Sequence, residues 1–124
     1  MQSLSEQEIA YINSQRLCRL ATLGPDGSPH VVPNSVRYNP ETGTLDLGGR
    51  DISKTRKWRD ILRDPRVALV IDDVLPPWRP RGIEVRGRAE QVASGGKIFG
   101  GHFGEEMIRV VPEKVISWGL ENQP

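Results

Sequence analysis

Basic side chains are concentrated in one segment, GGRDISKTRKWRD, at positions 48–60 of this 124-residue sequence. Between Arg50 and Arg66 there are seven Lys or Arg and three Asp, whereas the whole chain carries a formal net charge of only +1. The segment is typical of a strand end followed by a helix start, where free backbone N–H groups and the helix dipole favour an anion. Gly48 and Gly49 permit close backbone approach. These features predict an anion site, although the P-loop pattern is absent.

A helix predicted over 53–63 divides the cations of this segment into two groups. At about 100° per residue, one stripe of the helix is apolar and is predicted to be buried: Trp58, Ile61 and Leu62. The opposite face is predicted to be a solvated surface and carries Arg56, Arg59 and Arg63. Lys54 and Lys57 lie on or beside the apolar stripe, so each either extends its ammonium group into solvent or binds an anion.

The predicted anion site has further donors around the helix start. Ser53 and Thr55 supply hydroxyl groups, and Arg50 can reach the site from the end of the preceding strand. Together with Lys54 and Lys57, these side chains are suited to hold a phosphate group through charge-assisted hydrogen bonds. The residues therefore predict a phosphate site without identifying the molecule that carries the phosphate.

Other residues capable of chemistry form no recognisable constellation. His30 and His102 lie far apart in the sequence, without neighbours at metal-ligand spacing, so no metal is expected. A GxSxG nucleophile motif is absent, and Cys18 falls on a predicted buried strand. The carboxylates outside the basic segment are expected to be charges on a strand face, a turn or the surface: Glu84, Asp72 and Asp73.

The elements around the site predict a mainly β fold with two helices. A capping box formed by Ser5 and Glu8 predicts a first helix over roughly 5–14. Strands are predicted at 17–23, 30–38, 44–49, 66–74, 83–93 and 107–120, the last bent at Pro112. The apolar run at 66–74 predicts a strand buried on both faces. Residues 75–82 read as a proline-rich loop exposing Trp78, and 94–106 as a loop or a poor short helix.

Short strands at this spacing favour an antiparallel barrel of six or seven strands, and the lack of βαβα alternation excludes a Rossmann sheet. The length predicts one domain over 1–124. One cysteine cannot form an internal disulfide, and there is neither a signal-peptide pattern nor an apolar run near the ~20 residues of a membrane span. We therefore expect a cytoplasmic protein without a membrane partner. The near-neutral charge argues against a nucleic-acid partner.

Several stretches resemble one family: RLATLGPDGSPHVVP, RYNPETGTLDLGGRD, RDPRVALVIDDV, PWRPRGIEVRGRAE and VISWGLE. In this order they are similar to the pyridoxamine 5′-phosphate oxidase-like superfamily, and within it to the deazaflavin (coenzyme F420)-dependent oxidoreductases. The resemblance covers roughly residues 3–121. It implies an FMN-binding split β-barrel that forms a homodimer, with a cofactor site in each groove of the dimer interface.

The resemblance also implies a set of cofactor-binding residues. Lys57 is the best match to the phosphate-binding lysine, with Arg50, Ser53, Lys54, Thr55 and Arg56 as further candidates. The second strand would run beside the ring system with His30, Val31, Val32, Pro33, Asn34 and Ser35. Trp78 and Arg79 would come from the facing subunit. Asn34 and Ser35 replace residues that are often apolar in relatives, which predicts a more polar ring-side pocket.

The expected activity is hydride transfer from reduced coenzyme F420 to a planar conjugated acceptor, such as a tetrapyrrole or a quinone-like compound. Two alternatives remain: an FMN-dependent oxidoreductase of the same fold, and a non-catalytic flavin or deazaflavin carrier. A small RNA-binding barrel is disfavoured because no base-stacking aromatic platform accompanies the basic helix. No proton donor is identifiable from the sequence.

Overall fold

The computed structural model of the protein describes residues 1–122 and shows a six-stranded closed barrel with two helices. The strand order around the barrel is β1-β2-β3-β6-β5-β4, and every neighbouring pair is antiparallel. The elements are α1 Glu6–Ser14, β1 Leu17–Leu23, β2 Pro29–Asn39, β3 Thr44–Gly48, α2 Arg56–Arg63, β4 Arg66–Leu75, β5 Arg79–Val92 and β6 Met107–Trp118. The predicted fold class, a mainly β split barrel with two helices, is confirmed. No helix in the described range is long and apolar enough to cross a membrane.

The core fills the interior of the barrel through alternate residues of each strand. On β5 the predicted alternation is confirmed, because Ile83 and Val85 are buried while Arg86 is exposed. The prediction that the apolar run of β4 is buried on both faces is wrong. Leu69 is buried, but its neighbour Val70 is only half-buried. A sheet closed on itself has one interior, so the outer side of β4 stays partly exposed.

Strands β4 and β5 form one long hairpin in place of the predicted proline-rich loop. Their register runs from Arg66 opposite Arg88 to Leu75 opposite Arg79, so only residues 76–78 form the turn, with a cis Pro76–Pro77 bond. Asp72 and Asp73, predicted as turn or surface residues, therefore lie within β4 and not in the turn, and Asp72 is exposed on the strand surface. Asp73 instead accepts hydrogen bonds from Tyr11 Oη and Arg81 Nε, both at 2.8 Å, which connects α1 to the hairpin.

The predicted bend of β6 at Pro112 appears as an irregularity in strand pairing. Arg86 is opposite Lys114 and Gly87 is opposite Pro112, so the register shifts by one residue between these pairs. A Cβ atom on Gly87 would lie 2.0 Å from the carbonyl oxygen of Val111. Only glycine, which has no Cβ atom, avoids this clash at the bulge. The strand ends at Trp118, two residues before its predicted end.

Both helices start at a side-chain cap. The predicted capping box of α1 is confirmed, since Ser5 Oγ accepts from the Glu8 amide at 3.1 Å and Glu8 Oε1 accepts from the Ser5 amide at 2.9 Å. Helix α2 begins at Arg56, three residues later than predicted, because Thr55 is its N-cap. The preceding residues Ile52–Lys54 form a separate 3₁₀ turn. Lys54 is therefore outside the helix whose face it was predicted to share with Lys57.

The buried face of α2 also differs from the predicted one. Ile61 is buried and Trp58 is half-buried, as predicted, but Leu62 is 73% exposed. Asp60 takes the place of Leu62 on the buried side and is 1% exposed. The difference arises because Thr22 of β1 and His30 of β2 form hydrogen bonds to this buried carboxylate. Helical periodicity does not indicate such distant partners.

Candidate functional site

A cavity of about 500 Å³ lies between the first half of β2 and helix α2. It brings six of the predicted cofactor-binding residues together: His30, Val31, Val32, Thr55, Arg56 and Lys57. It also contains three residues that the sequence analysis did not assign to the site: Thr22, Arg59 and Asp60. One wall is therefore supplied by an extended strand with apolar side chains, and the other by a basic helix.

Lys57 is the most unusual cation of the cavity. Its side chain is half-buried, and this burial lowers its pKa below the usual lysine range. Within residues 1–122 its ammonium group has no hydrogen bond and no carboxylate within 4.0 Å. A partly desolvated cation without a protein partner is suited to bind an anion that enters the cavity.

Asp60 is the centre of a buried polar network on the same cavity wall. Its Oδ2 accepts from Thr22 Oγ1 at 2.8 Å and bonds His30 Nδ1 at 2.9 Å, while its Oδ1 accepts from Arg63 at 3.0 Å. Burial opposes the charged carboxylate, but the hydrogen bonds from His30, Thr22 and Arg63 outweigh it and hold the pKa of Asp60 below its ordinary value. The network was missed because its members lie far apart in the sequence.

A second cavity of about 570 Å³ adjoins the first on the far side of His30. Both cavities share His30, Arg56, Arg59 and Asp60, while Arg63 and the β1–β2 turn residues Pro25, Asp26 and Ser28 line only the second. Arg63 also donates to the Leu23 carbonyl oxygen at 2.9 Å. The three arginines are exposed, as predicted for the outer face, but Arg63 also has protein partners, and Arg56 and Arg59 line both cavities.

The remaining predicted residues do not line these two cavities. Lys54 is exposed on the 3₁₀ turn, next to Ser53, and Arg50 lines a separate cavity of about 300 Å³ with His102 and Phe103. Trp78 and Arg79 lie at the tip of the β4–β5 hairpin, where Trp78 is 73% exposed. Two further members of the predicted set, Pro33 and Ser35, lie on β2 beyond the cavity.

Asn34 has a different environment from the one expected for a ring-side polar group. Its side chain is buried, and Nδ2 donates to the carbonyl oxygens of Ser35 and Gly48, both at 2.9 Å. These two bonds connect β2 to the end of β3. The amide donors of Asn34 are thus used within the barrel and do not face the cavity described above.

Comparison with known proteins agrees with this architecture. The family profile described as pyridoxamine 5′-phosphate oxidase matches residues 4–118. A similar protein is the 5a,11a-dehydrotetracycline/5a,11a-dehydrooxytetracycline reductase of Streptomyces rimosus. It is 39% identical over 119 residues, which cover 94% of this chain and 84% of the relative.

Solved structures with this fold include proteins of low sequence identity. A conserved hypothetical protein of Mycobacterium tuberculosis has a TM-score of 0.75 at 23% identity, covering 97% of this chain and 91% of that one. A FAD-binding protein of Mesorhizobium loti has a TM-score of 0.69 at 23% identity, covering 94% and 93%. Since the family profile spans most of the sequence and the Streptomyces relative matches nearly end to end, the chain belongs to the pyridoxamine 5′-phosphate oxidase family.

Proposed function

We propose that the protein is a reductase that uses reduced coenzyme F420 to transfer a hydride to a planar conjugated small molecule. Membership of an oxidoreductase family and 39% identity to a dehydrotetracycline reductase support the reaction type. That relative is named for the reduction of dehydrotetracyclines, which supports a polycyclic acceptor. The choice of deazaflavin follows the sequence resemblance, with FMN as the alternative cofactor.

One observation carries the proposal: the half-buried Lys57 lies without a protein acceptor in a cavity that also contains an extended strand. A flavin-type cofactor has an anionic tail and a flat ring, and the two walls of this cavity suit those two parts. Thr55 and Arg56 add a hydroxyl group and a guanidinium group beside Lys57. The residues present therefore fit a cofactor with a phosphate-bearing tail.

The chain's own residues bind and orient in this mechanism. Lys57 and Arg56 would hold the phosphate, and the half-buried position of Lys57 would strengthen its electrostatic attraction relative to bulk water. Val32 provides an apolar contact for the ring, because its side chain is partly exposed in the cavity. The reduced cofactor supplies the hydride when bound. The open side of the cavity is where the planar acceptor would stack.

We infer that the protein is a homodimer in which a second copy completes this cavity. Large apolar side chains are exposed on the neighbouring strands β4, β1 and β2 and also on β6: Leu17, Val31, Val74, Ile116 and Trp118. Val31, which is 67% exposed, is the member of this set that also lines the cavity. A second copy covering the apolar surface would therefore also cover one side of the cofactor.

A fluorescence titration with coenzyme F420 and with FMN tests the cofactor. We expect F420 to bind tightly, and reduced F420 to be oxidised in a screen that includes dehydrotetracyclines and other polycyclic conjugated compounds. Tight FMN binding without a response to F420 would refute the choice of cofactor. Binding of F420 without oxidation by any acceptor would instead support the carrier alternative.

A further inference from the structure

We propose that His30, held by Asp60, is a proton-dependent ligand for the phosphate group of the bound cofactor. The inference rests on the proposed function, because it concerns the same cavity. It goes further in giving His30 a role at the phosphate and in making cofactor affinity depend on pH. From the sequence, His30 is expected only beside the ring.

The imidazole is held on two sides. Asp60 Oδ2 lies 2.9 Å from His30 Nδ1, and the ring packs against Gly24, where a Cβ atom would approach His30 Cε1 to 2.6 Å and Nε2 to 3.0 Å. Asp60 itself is held by Thr22 and Arg63. Nδ1 therefore forms its hydrogen bond with the carboxylate of Asp60, while Nε2 has no hydrogen bond within the described part of the chain.

The proton state of Nε2 decides whether His30 attracts or repels an anion. A neutral imidazole that donates from Nδ1 to Asp60 has a lone pair on Nε2, which repels a phosphate oxygen. The imidazolium form donates from both nitrogen atoms and adds a positive charge to the cavity. Phosphate binding at this position therefore requires uptake of a proton when the free protein holds His30 neutral.

Charged groups on the neighbouring elements couple the two events. Cations on α2 disfavour the imidazolium form in the free protein: Arg56, Lys57, Arg59 and Arg63. Asp60 on α2 and Asp26 in the β1–β2 turn favour it. A bound phosphate offsets the charge of the cations, so the imidazolium form becomes more favourable in the complex. By linkage, protonation of His30 then increases phosphate affinity to the same extent.

A simpler role for His30 is to satisfy the buried carboxylate of Asp60. In that case substitution would change the stability of the fold without changing how affinity varies with pH. The two roles are separated by ligands that share the ring but differ in the phosphate. Coenzyme F420 and its phosphate-free ring fragment form such a pair, because ionisation of the ring affects both equally.

The test measures both dissociation constants by fluorescence between about pH 5.5 and about pH 8.5, a range that spans histidine titration. For the native protein, the preference for F420 over the fragment should fall roughly tenfold across this range. In His30→Gln this preference for F420 should be smaller and should not change with pH. His30→Arg, which keeps a permanent charge, should bind tightly with no pH dependence. His102→Gln provides the matched control and should behave like the native protein.

The ring protons of His30, followed by NMR in the free protein and in the F420 complex, provide a readout independent of affinity and activity. They should titrate at higher pH in the complex. A native preference that is constant with pH, or His30→Gln retaining the native pH dependence, would overturn the inference while leaving the proposed function intact. If only FMN binds, the proposed cofactor fails, and the same comparison of His30 titration with FMN and riboflavin decides the role of His30.

Discussion

Replacing Lys57 by Met separates the function of this side chain from its contribution to folding. Met has a similar length and no charge, so it preserves contacts made by the methylene groups. The ammonium group of Lys57 is half-buried without a protein acceptor, and burial lowers its pKa. The free protein therefore gains nothing from this charge, and its removal should leave the free energy of unfolding unchanged or slightly higher.

Cofactor binding, in contrast, should become weaker in Lys57→Met. A charge-assisted hydrogen bond from a partly desolvated ammonium group to phosphate contributes about 1.5–3 kcal/mol. Loss of this bond corresponds to a dissociation constant for F420 raised roughly 10- to 150-fold. Lys54→Met is the matched comparison, because Lys54 is exposed outside the cavity, and we expect a change of no more than about twofold.

Fluorescence titration and denaturant unfolding of the same two variants provide the measurements. The lowered pKa of Lys57 also makes the free energy of unfolding depend on pH. Between the pKa of Lys57 in the folded protein and the usual lysine pKa, the unfolded chain binds more protons, so native stability rises with pH in this range. This rise should be absent in Lys57→Met. An unchanged F420 affinity in Lys57→Met, or an equal loss in Lys54→Met, would refute the assignment of the phosphate site.

Three further outcomes follow from the buried carboxylates and the apolar surface. Arg109→Met leaves Asp46, which is fully buried, without its 3.0 Å ion pair and should cost about 3–5 kcal/mol in denaturant unfolding; a loss below about 1 kcal/mol would contradict this. Burial raises the pKa of Asp46 and Asp60, but their hydrogen bonds lower it further, so that both pKa values lie below the ordinary value. The two carboxylates therefore stabilise the fold above about pH 4, and this stabilisation is lost on acidification. A free energy of unfolding that stays constant down to about pH 2.5 would contradict this expectation. Trp118→Arg should halve the mass measured by light scattering, and a retained dimer would exclude this surface as the interface.

The strand pattern was largely predictable because it depends on neighbouring residues. The capping box at Ser5 and the alternation of β5 are local signals, and both were confirmed. Helix α2 was less predictable. Thr55 caps the helix and shifts its start to Arg56, and Leu62 is exposed because Asp60 occupies the buried side. Burial of an aspartate is unfavourable unless residues distant in the sequence form hydrogen bonds to it. Helical periodicity does not show such partners, so it predicted that Leu62 and not Asp60 would be buried.

The sequence by itself determined that cations cluster where a strand ends and a helix begins, and that some of them border a buried face. Only the tertiary structure decided which of them share a cavity. Lys57 lies in the cavity beside His30, whereas Lys54 is exposed on the preceding turn. The register of β1 and β2 sets Thr22 opposite His30, and α2 then brings Asp60 against both. Contacts between residues so far apart depend on strand pairing, which local spacing does not encode.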